Sequence, residues 1–190
     1  MIKVYPSAKL RAKLPLNENG TIQGGEKCNP PDLSPVPNNP LSYWHAHLII
    51  LQRRQCVVMV HDVSRFAVFL PCLTKKDFAS LDWHFSDVLM NTFLQAGLPS
   101  ESINNAAKLL TPLCFDHRRD RSVQGTLNQM TQDLEHRLWF DQSKVEDLLP
   151  YSTSAWLSDR PCNVKGQKDC VWPIKAMAEM LLSQGALHKS

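Results

Sequence analysis

The sequence predicts an α+β fold, in which a three-to-four-stranded antiparallel sheet packs with about four to five helices. Two observations favour this class. Three runs rich in valine, isoleucine and phenylalanine lie between residues 44 and 70, with very short connections. From residue 74 onward, apolar side chains recur at helical spacing. Strands followed by helices indicate a sheet covered by helices, and 190 residues suit a single domain, 1–190.

The strands are expected in two places. Residues 2–5 form a short strand that leads into a helical turn through residues 8–14. The three apolar runs cover residues 44–51, 55–61 and 65–70. A parallel pair would need a crossover of a dozen or more residues, so these runs are expected to form an antiparallel meander.

The second half is expected to be helical, with one irregular segment at residues 151–170. Gly97 and the bond before Pro112 are the stop signals of the first two helices. The predicted helices cover residues 74–96, 100–110 and 122–140 and begin again at residue 173, with a short turn at 144–149.

Residues 15–40 differ from the rest of the chain, because they hold six prolines and three glycines with almost no apolar periodicity. Proline removes backbone donors and glycine raises the cost of ordering, so regular structure is not expected. The segment is interpreted as a surface excursion from the domain, and the simplest alternative is a linker without function.

Composition excludes several classes. No apolar run approaches 18 residues, so no transmembrane helix and no membrane partner are expected. The N-terminus lacks a secretory h-region, which favours the cytoplasm and reduced thiols for the six cysteines. No C-x-x-C pair, H-E-x-x-H, G-x-S-x-G or G-x-G-x-x-G motif occurs, so no metal and no cofactor are predicted. A net charge of +3 permits an acidic partner but does not require one.

A cluster of polar residues is expected at one end of the sheet. A turn centred on residues 53–54 places His45 opposite Asp62, and the next turn places Asp62 opposite Arg65. His47 lies two residues from His45 and therefore on the same face. The cluster depends on both turn registers, because a slip of one residue would separate these groups.

This cluster suggests catalysis. A histidine beside a carboxylate is the arrangement of a general base, so a hydrolase or nuclease could use His45 or His61 as base, with Asp62 orienting it and Arg65 stabilising an anion. His45 and His47 could instead supply two metal ligands. The third possibility is a structural hydrogen-bond network, because buried polar groups need partners.

A second candidate site lies where the helix of residues 122–140 begins. Asp120 or Ser122 can cap this helix, and its N–H groups would then lie beside three arginines, which suits a phosphate. Gly125 weakens the helix, which a close ligand would explain. Alternatively, Asp116 and Asp120 neutralise the arginines and Gly125 permits helix packing. The candidate anion-binding residues are Arg53, Arg54, Arg118, Arg119, Arg121, Ser122, Gln124 and Asn128.

A third polar segment covers residues 159–173. Cys162 could be a nucleophile if Arg160 and Lys165 lower its pKa. The glycine and lysines of this segment lack the spacing of a phosphate-binding loop, so nucleotide binding of that class is not predicted.

Several motifs resemble an uncharacterised bacterial family, a domain of unknown function, and this resemblance implies no activity. It spans residues 1–14 and 41–182. The Pro-rich stretch resembles an insertion, and His47 stands where the family more often has asparagine, which counts against a metal pair. The motifs are W-H-A-H-L at 44–48, R-R-Q-C at 53–56, H-D-V-S-R-F at 61–66, D-R-S-V-Q-G-T-L-N-Q-M at 120–130 and V-K-G-Q-K-D-C at 164–170.

The sequence therefore leaves three alternative functions. The first is a binding module for a phosphate-bearing partner, nucleic acid above all, which rests on the arginines and the helix start near Ser122. The second is the hydrolase or nuclease. The third is an adaptor that binds a protein partner through the Pro-rich excursion or an exposed tryptophan.

Overall fold

The computed structural model describes residues 1–23, 39–117, 120–164 and 169–187. Its strands are β1 Ile2–Pro6, β2 Trp44–Leu51, β3 Arg54–His61, β4 Ala67–Leu70 and β5 Leu113–Phe115. Its α-helices are α1 Ala8–Arg11, α2 Lys75–Ala79, α3 Leu81–Gln95, α4 Ser100–Leu109, α5 Arg121–Phe140, α6 Pro150–Ser158 and α7 Pro173–Leu187. A 3₁₀ turn at Val145–Asp147 lies between α5 and α6.

The sheet has five strands in the order β4-β3-β2-β1-β5. The antiparallel meander β2-β3-β4 is confirmed. The expectation of three to four antiparallel strands is wrong in detail, because β1 lies parallel to both β2 and β5. The three residues of β5 are too few to show a periodicity, so the sequence offered no sign of this strand.

The β2–β3 hairpin turns one residue earlier than predicted. Leu51 pairs with Arg54, and the loop residues Gln52 and Arg53 both have positive φ, 46° and 68°, as a two-residue type I′ turn requires. His45 therefore pairs with Val60 and not with Asp62. The partner moves by two residues, so every side chain keeps its predicted face.

Both faces of the sheet are covered. On one face, side chains such as Trp44 and Met59 pack with Phe85 and Phe93 of α3 and with α4 and α7. On the other face, α5 lies across β2 and β3. The apolar stripe of α5 consists of Val123, Leu127, Met130, Leu134 and Leu138, and these residues meet the buried side of the meander.

Two helical predictions need correction. The helix predicted for residues 74–96 is broken at Ser80, whose hydroxyl bonds the Lys76 carbonyl at the junction of α2 and α3. Residues 151–170 were expected to be irregular, but α6 occupies their first half, with Pro150 at its start. In the described part of the chain, no helix is both long enough and apolar enough to cross a membrane.

The start of the Pro-rich excursion is built into the fold. Leu16 and Ile22 form an isolated antiparallel bridge, and the Phe115 N–H donates to the Gly20 carbonyl at 2.8 Å. Gly20 has a φ of 76°, and a Cβ there would lie 2.6 Å from the Phe115 oxygen, so only glycine fits. This part of the segment covers the β5 edge, while residues 24–38 lie outside the described residues.

Candidate anion-binding site

Arg65 lies in the turn between β3 and β4 and points to the face that α5 covers. The pairing of Val60 with Ala67 is the register predicted for this turn, and it brings Asp62 Oδ1 to 3.7 Å from Arg65 Nη1. Arg65 Nη2 donates to Ser122 Oγ at 3.1 Å, which ties the turn to the first residues of α5. The prediction that Asp62 and Arg65 meet on one face is thus confirmed.

The guanidinium of Arg65 is buried, and two of its nitrogen atoms lack a hydrogen-bond acceptor among the described residues. Its side chain is 3% exposed, and Nε and Nη1 have no hydrogen-bond partner among the described residues. Burial lowers the pKa of Arg65, while the Asp62 and Asp120 carboxylates raise it. Arginine stays protonated even so. The site therefore contains a fixed positive charge beside the Asp62 and Asp120 carboxylates, with two buried nitrogen donors that lack an acceptor among the described residues.

The start of α5 is capped from within the chain. The Asp120 carboxylate accepts from the Ser122 N–H at 2.7 Å and from the Val123 N–H at 3.3 Å. Burial raises the pKa of Asp120, but these two bonds and the Arg65 charge outweigh it and hold the pKa below its ordinary value. The expectation of free N–H groups is wrong for these two positions, because the cap satisfies them. Arg118 and Arg119 lie outside the described residues.

A cavity of about 270 Å³ opens beside the α5 start, between this helix and residues 160–163. Thr126 and Gln129 line it from the helix, and Arg160 and Cys162 line it from the opposite wall. Arg160 forms an ion pair with Asp133, which anchors that wall to α5.

Cys162 lies within reach of the charges of both Arg65 and Arg160. Burial raises its pKa and outweighs the lowering by the two arginines. Cys162 is therefore a buried thiol, and its described surroundings do not activate it as a nucleophile, while Lys165, the second residue of that prediction, lies outside the described residues.

The outer face of α5 carries the remaining predicted anion-binding residues that the structure describes near the helix start. Arg121, Gly125 and Asn128 are exposed on one stripe, and Gln124 beside them is half-buried. Among the described residues, no atom lies within 4 Å of the place that a Cβ on Gly125 would take. The helix-packing explanation of this glycine is therefore wrong, and the helix surface at Gly125 is open to approach.

The other two predicted anion ligands lie far from this site. Gln52 of the hairpin turn accepts from the Val145 N–H at 2.8 Å, so the turn packs beyond the C-terminal end of α5. Arg54 pairs with Glu146 at 2.7 Å, and Arg53 is exposed in the turn. A 20-residue helix is about 30 Å long. The structure thus separates Arg53 and Arg54 from Ser122.

His61 lies on the opposite face of the sheet, against Trp44 at a ring distance of 5.1 Å. Its Nε2 is 2.9 Å from the Ser42 carbonyl and must donate to it, while Nδ1 accepts from the Ser64 N–H at 3.1 Å. Burial lowers the pKa of His61 to about 4. Both ring nitrogens form hydrogen bonds with the backbone, and the ring lies across the sheet from Asp62 and Arg65. His61 therefore does not form a catalytic group with these two residues.

His45 shares the face of Arg65 but is nearly inaccessible, at 3% exposure, and it packs on the Tyr5 ring at 5.1 Å. His47, two residues along, pairs with Val58, and burial lowers its pKa. Across the described residues, no three His, Cys, Asp or Glu side chains group closely enough to hold a metal ion.

Sequence reasoning did not predict this cavity. Thr126 and Gln129 lie three residues apart on α5, and that polar spacing is the signal that could have revealed the α5 wall. Arg160 and Asn163 give no such signal, because they reach the site only through the packing of their segment on α5.

Comparison with known proteins gives one match. Searches of curated proteins and of solved structures found nothing similar. The model of one family, described as "Domain of unknown function (DUF6933)", matches residues 5–176, which is most of the chain. With the fold and the site described above, this protein is therefore a member of the DUF6933 family of domains of unknown function.

Proposed function

We propose that this protein is a binding module for a phosphate-bearing partner, with nucleic acid as the partner class. The observation that carries the proposal is Arg65, a buried cation with unfilled N–H groups beside the start of α5. A buried donor without a partner is costly, at about 1–3 kcal/mol per group, so a ligand that fills it gains that energy back. A phosphate oxygen is the acceptor that matches a guanidinium best.

The surroundings favour a nucleic acid over a free anion. Arg121 lies on the exposed stripe where it can meet a second phosphate, and the side-chain amides of Asn128 and Gln129 can bond bases or sugars. Gly125 leaves the helix backbone open between them. The whole chain carries a net charge of +3, which favours a polyanion weakly.

The hydrolase or nuclease alternative receives less support from the geometry. Its second base, His61, lies across the sheet with both ring nitrogens engaged. Asp62 pairs with Arg65 and not with His61, whose ring lies on the other face of the sheet. The adaptor alternative rests on the Pro-rich excursion, of which residues 24–38 lie outside the described residues, or on an exposed tryptophan, and Trp83, Trp139 and Trp172 are exposed.

The test is fluorescence anisotropy with labelled single- and double-stranded 12-mers of DNA and RNA, at about 50 and 200 mM salt. Arg121→Gln should weaken binding several-fold and lower the salt slope by about one, as expected for one lost phosphate contact. Arg53→Gln removes the same charge at the far end of α5 and is the matched control.

Equal losses in both variants would contradict the proposed site, because they would reflect net charge alone. No binding of any strand by the wild-type protein would overturn the proposal. The same samples, incubated with Mg²⁺ and run on a gel, should show intact strands, and cleaved strands would instead support the nuclease alternative.

A further inference from the structure

The edge of β2 beyond the end of β1 is open. β1 pairs with β2 only as far as Pro6 opposite Ala46, and the Ser7 N–H then donates to the Ala46 carbonyl. The Leu48 N–H reaches Ser7 Oγ at 3.5 Å. Past this point β2 continues to Leu51 with β3 on its other side.

Strand geometry identifies which backbone N–H and carbonyl groups of β2 are unpaired among the described residues. Leu51 and Arg54 close a two-residue hairpin, so odd-numbered residues of β2 bond to β3 and even-numbered residues point away from it. The bond to the Ala46 carbonyl agrees with this assignment. The Leu48 carbonyl and the N–H and carbonyl of Ile50 therefore face outward, and none has a backbone partner in the described part of the chain.

The edges of the two outermost strands, β4 and β5, are covered, unlike the open stretch of β2. Along β4, Ser154 Oγ accepts from the Phe69 N–H and Ser158 Oγ accepts from the Ala67 N–H. Along β5, the Gly20 carbonyl accepts from the Phe115 N–H. Proteins usually cover such edges because they invite pairing with another chain. An open stretch at residues 48–50 is thus an exception within this fold.

A cleft of about 660 Å³ lies along the open stretch. Its floor includes Leu48, Ile49 and Ile50, and Ile50 is 58% exposed. Lys9 and Lys13 line the cleft beside this floor together with one acidic side chain, Glu135, so the charged lining is positive on balance. The free backbone groups can pair with an extended peptide. The apolar residues of the floor favour apolar side chains at alternate positions of that peptide, and the lysines favour acidic side chains.

We infer that residues 48–50 of β2 are a docking edge for an extended acidic peptide, which adds a strand to the sheet beside Lys9 and Lys13. A second copy of this chain fits less well, because edge-to-edge pairing would bring the lysines of both copies to one cleft. The inference is independent of the nucleic-acid site, which lies at the start of α5.

The test begins with selection of a random octapeptide display library on the full chain. Enriched sequences should alternate apolar residues with Asp or Glu, and the synthesised consensus peptide is the probe for all later measurements. Ile50→Pro removes the outward N–H and the isoleucine side chain without removing a bond to β3, and proline is tolerated at an edge position, so it should weaken this peptide at least about tenfold. Ile50→Val keeps the N–H and should bind within about twofold of wild type.

Two further measurements separate the alternatives. The Ile50 amide should exchange quickly in the free protein and slow markedly with the peptide, whereas the Ile49 amide, bonded to β3, should be slow in both states. Lys9→Glu with Lys13→Glu should weaken the peptide, and Arg121→Gln should not. Enrichment of no alternating acidic sequence, equal binding to Ile50→Pro, or self-association of the chain through this edge would overturn the inference.

Discussion

Gly125 carries the clearest conflict between stability and binding at the scale of single residues. It lies in the first half of α5, where glycine costs about 1 kcal/mol relative to alanine, and the fold does not require it. We expect Gly125→Ala to raise the free energy of unfolding by about 0.5–1 kcal/mol in urea titrations.

The same change should weaken nucleic-acid binding, because a methyl group would stand where the ligand approaches the helix. Gly125→Ser, slightly larger and a poorer helix former, should gain less stability and lose at least as much affinity. A stabilised Gly125→Ala variant with unchanged affinity would remove the ligand explanation of this glycine.

Residue faces were predictable where alternation alone decides them. Asp62 and Arg65 meet as expected because their turn has the predicted register. His45 stays on its predicted face even though the hairpin turn lies one residue away. His61 lies across the sheet from Asp62 because neighbouring strand residues point to opposite faces, and no spacing in the sequence encodes its contacts with the Ser42 carbonyl and the Ser64 N–H.

At the scale of elements, α6 protects the free edge of β4 with two serines. Ser154 Oγ also donates to the Pro150 carbonyl, and Ser158 Oγ also donates to the Ser154 carbonyl, so both hydroxyls are fully used. Either substitution by alanine leaves a buried strand N–H unpaired, and each should lower the free energy of unfolding by about 1–3 kcal/mol.

Ser152→Ala, on the exposed side of the same helix, is the matched control and should change stability by less than about 0.5 kcal/mol. Urea denaturation of the three variants checks this prediction. Equal small effects in all three would mean that the hydroxyls do not hold the edge.

The serines also explain why α6 was missed. In isolation they favour turns, because their hydroxyls compete with the backbone for hydrogen bonds. Here those hydroxyls serve a neighbouring strand, so tertiary contacts decide the structure. The apolar stripe of α5, in contrast, is local to the helix, and its bounds were predicted to within one residue.

At the scale of the whole molecule, the layered α+β class was predictable, and the parallel pairs were not. β1 joins β2 and β5 across the sequence, with Val4 opposite both Trp44 and Phe115. Such pairing joins residues that are far apart in the sequence, and the spacing of apolar residues within one segment cannot predict it. The cavity beside α5 was not predicted for the same reason, because Arg160 reaches it only in the folded chain.

A half-buried aspartate, Asp82, and a buried histidine, His61, give the whole fold opposite responses to acid. Burial raises the pKa of Asp82 to about 6, and its Oδ1 has no hydrogen-bond partner among the described residues. Ionised Asp82 therefore destabilises the fold above pH 6, and this penalty disappears as the pH falls from 6 towards 4. His61, with its pKa lowered to about 4, stays neutral when folded, so its contribution is lost as the pH falls through the same interval.

The two groups thus offset each other between pH 6 and 4, and substitution of one should expose the other. We expect Asp82→Asn to raise the free energy of unfolding at pH 7 by about 2–3 kcal/mol, since each pKa unit corresponds to about 1.4 kcal/mol. Its advantage over wild type should shrink towards pH 4, because the wild-type Asp82 carboxyl is then protonated and no longer penalised, while His61 responds to acid equally in both proteins. Asp141→Asn, at an exposed position, should follow the wild-type profile. Urea titrations at pH 7, 6, 5 and 4 decide the matter, and a constant gap between Asp82→Asn and wild type would show that Asp82 is not the group that titrates.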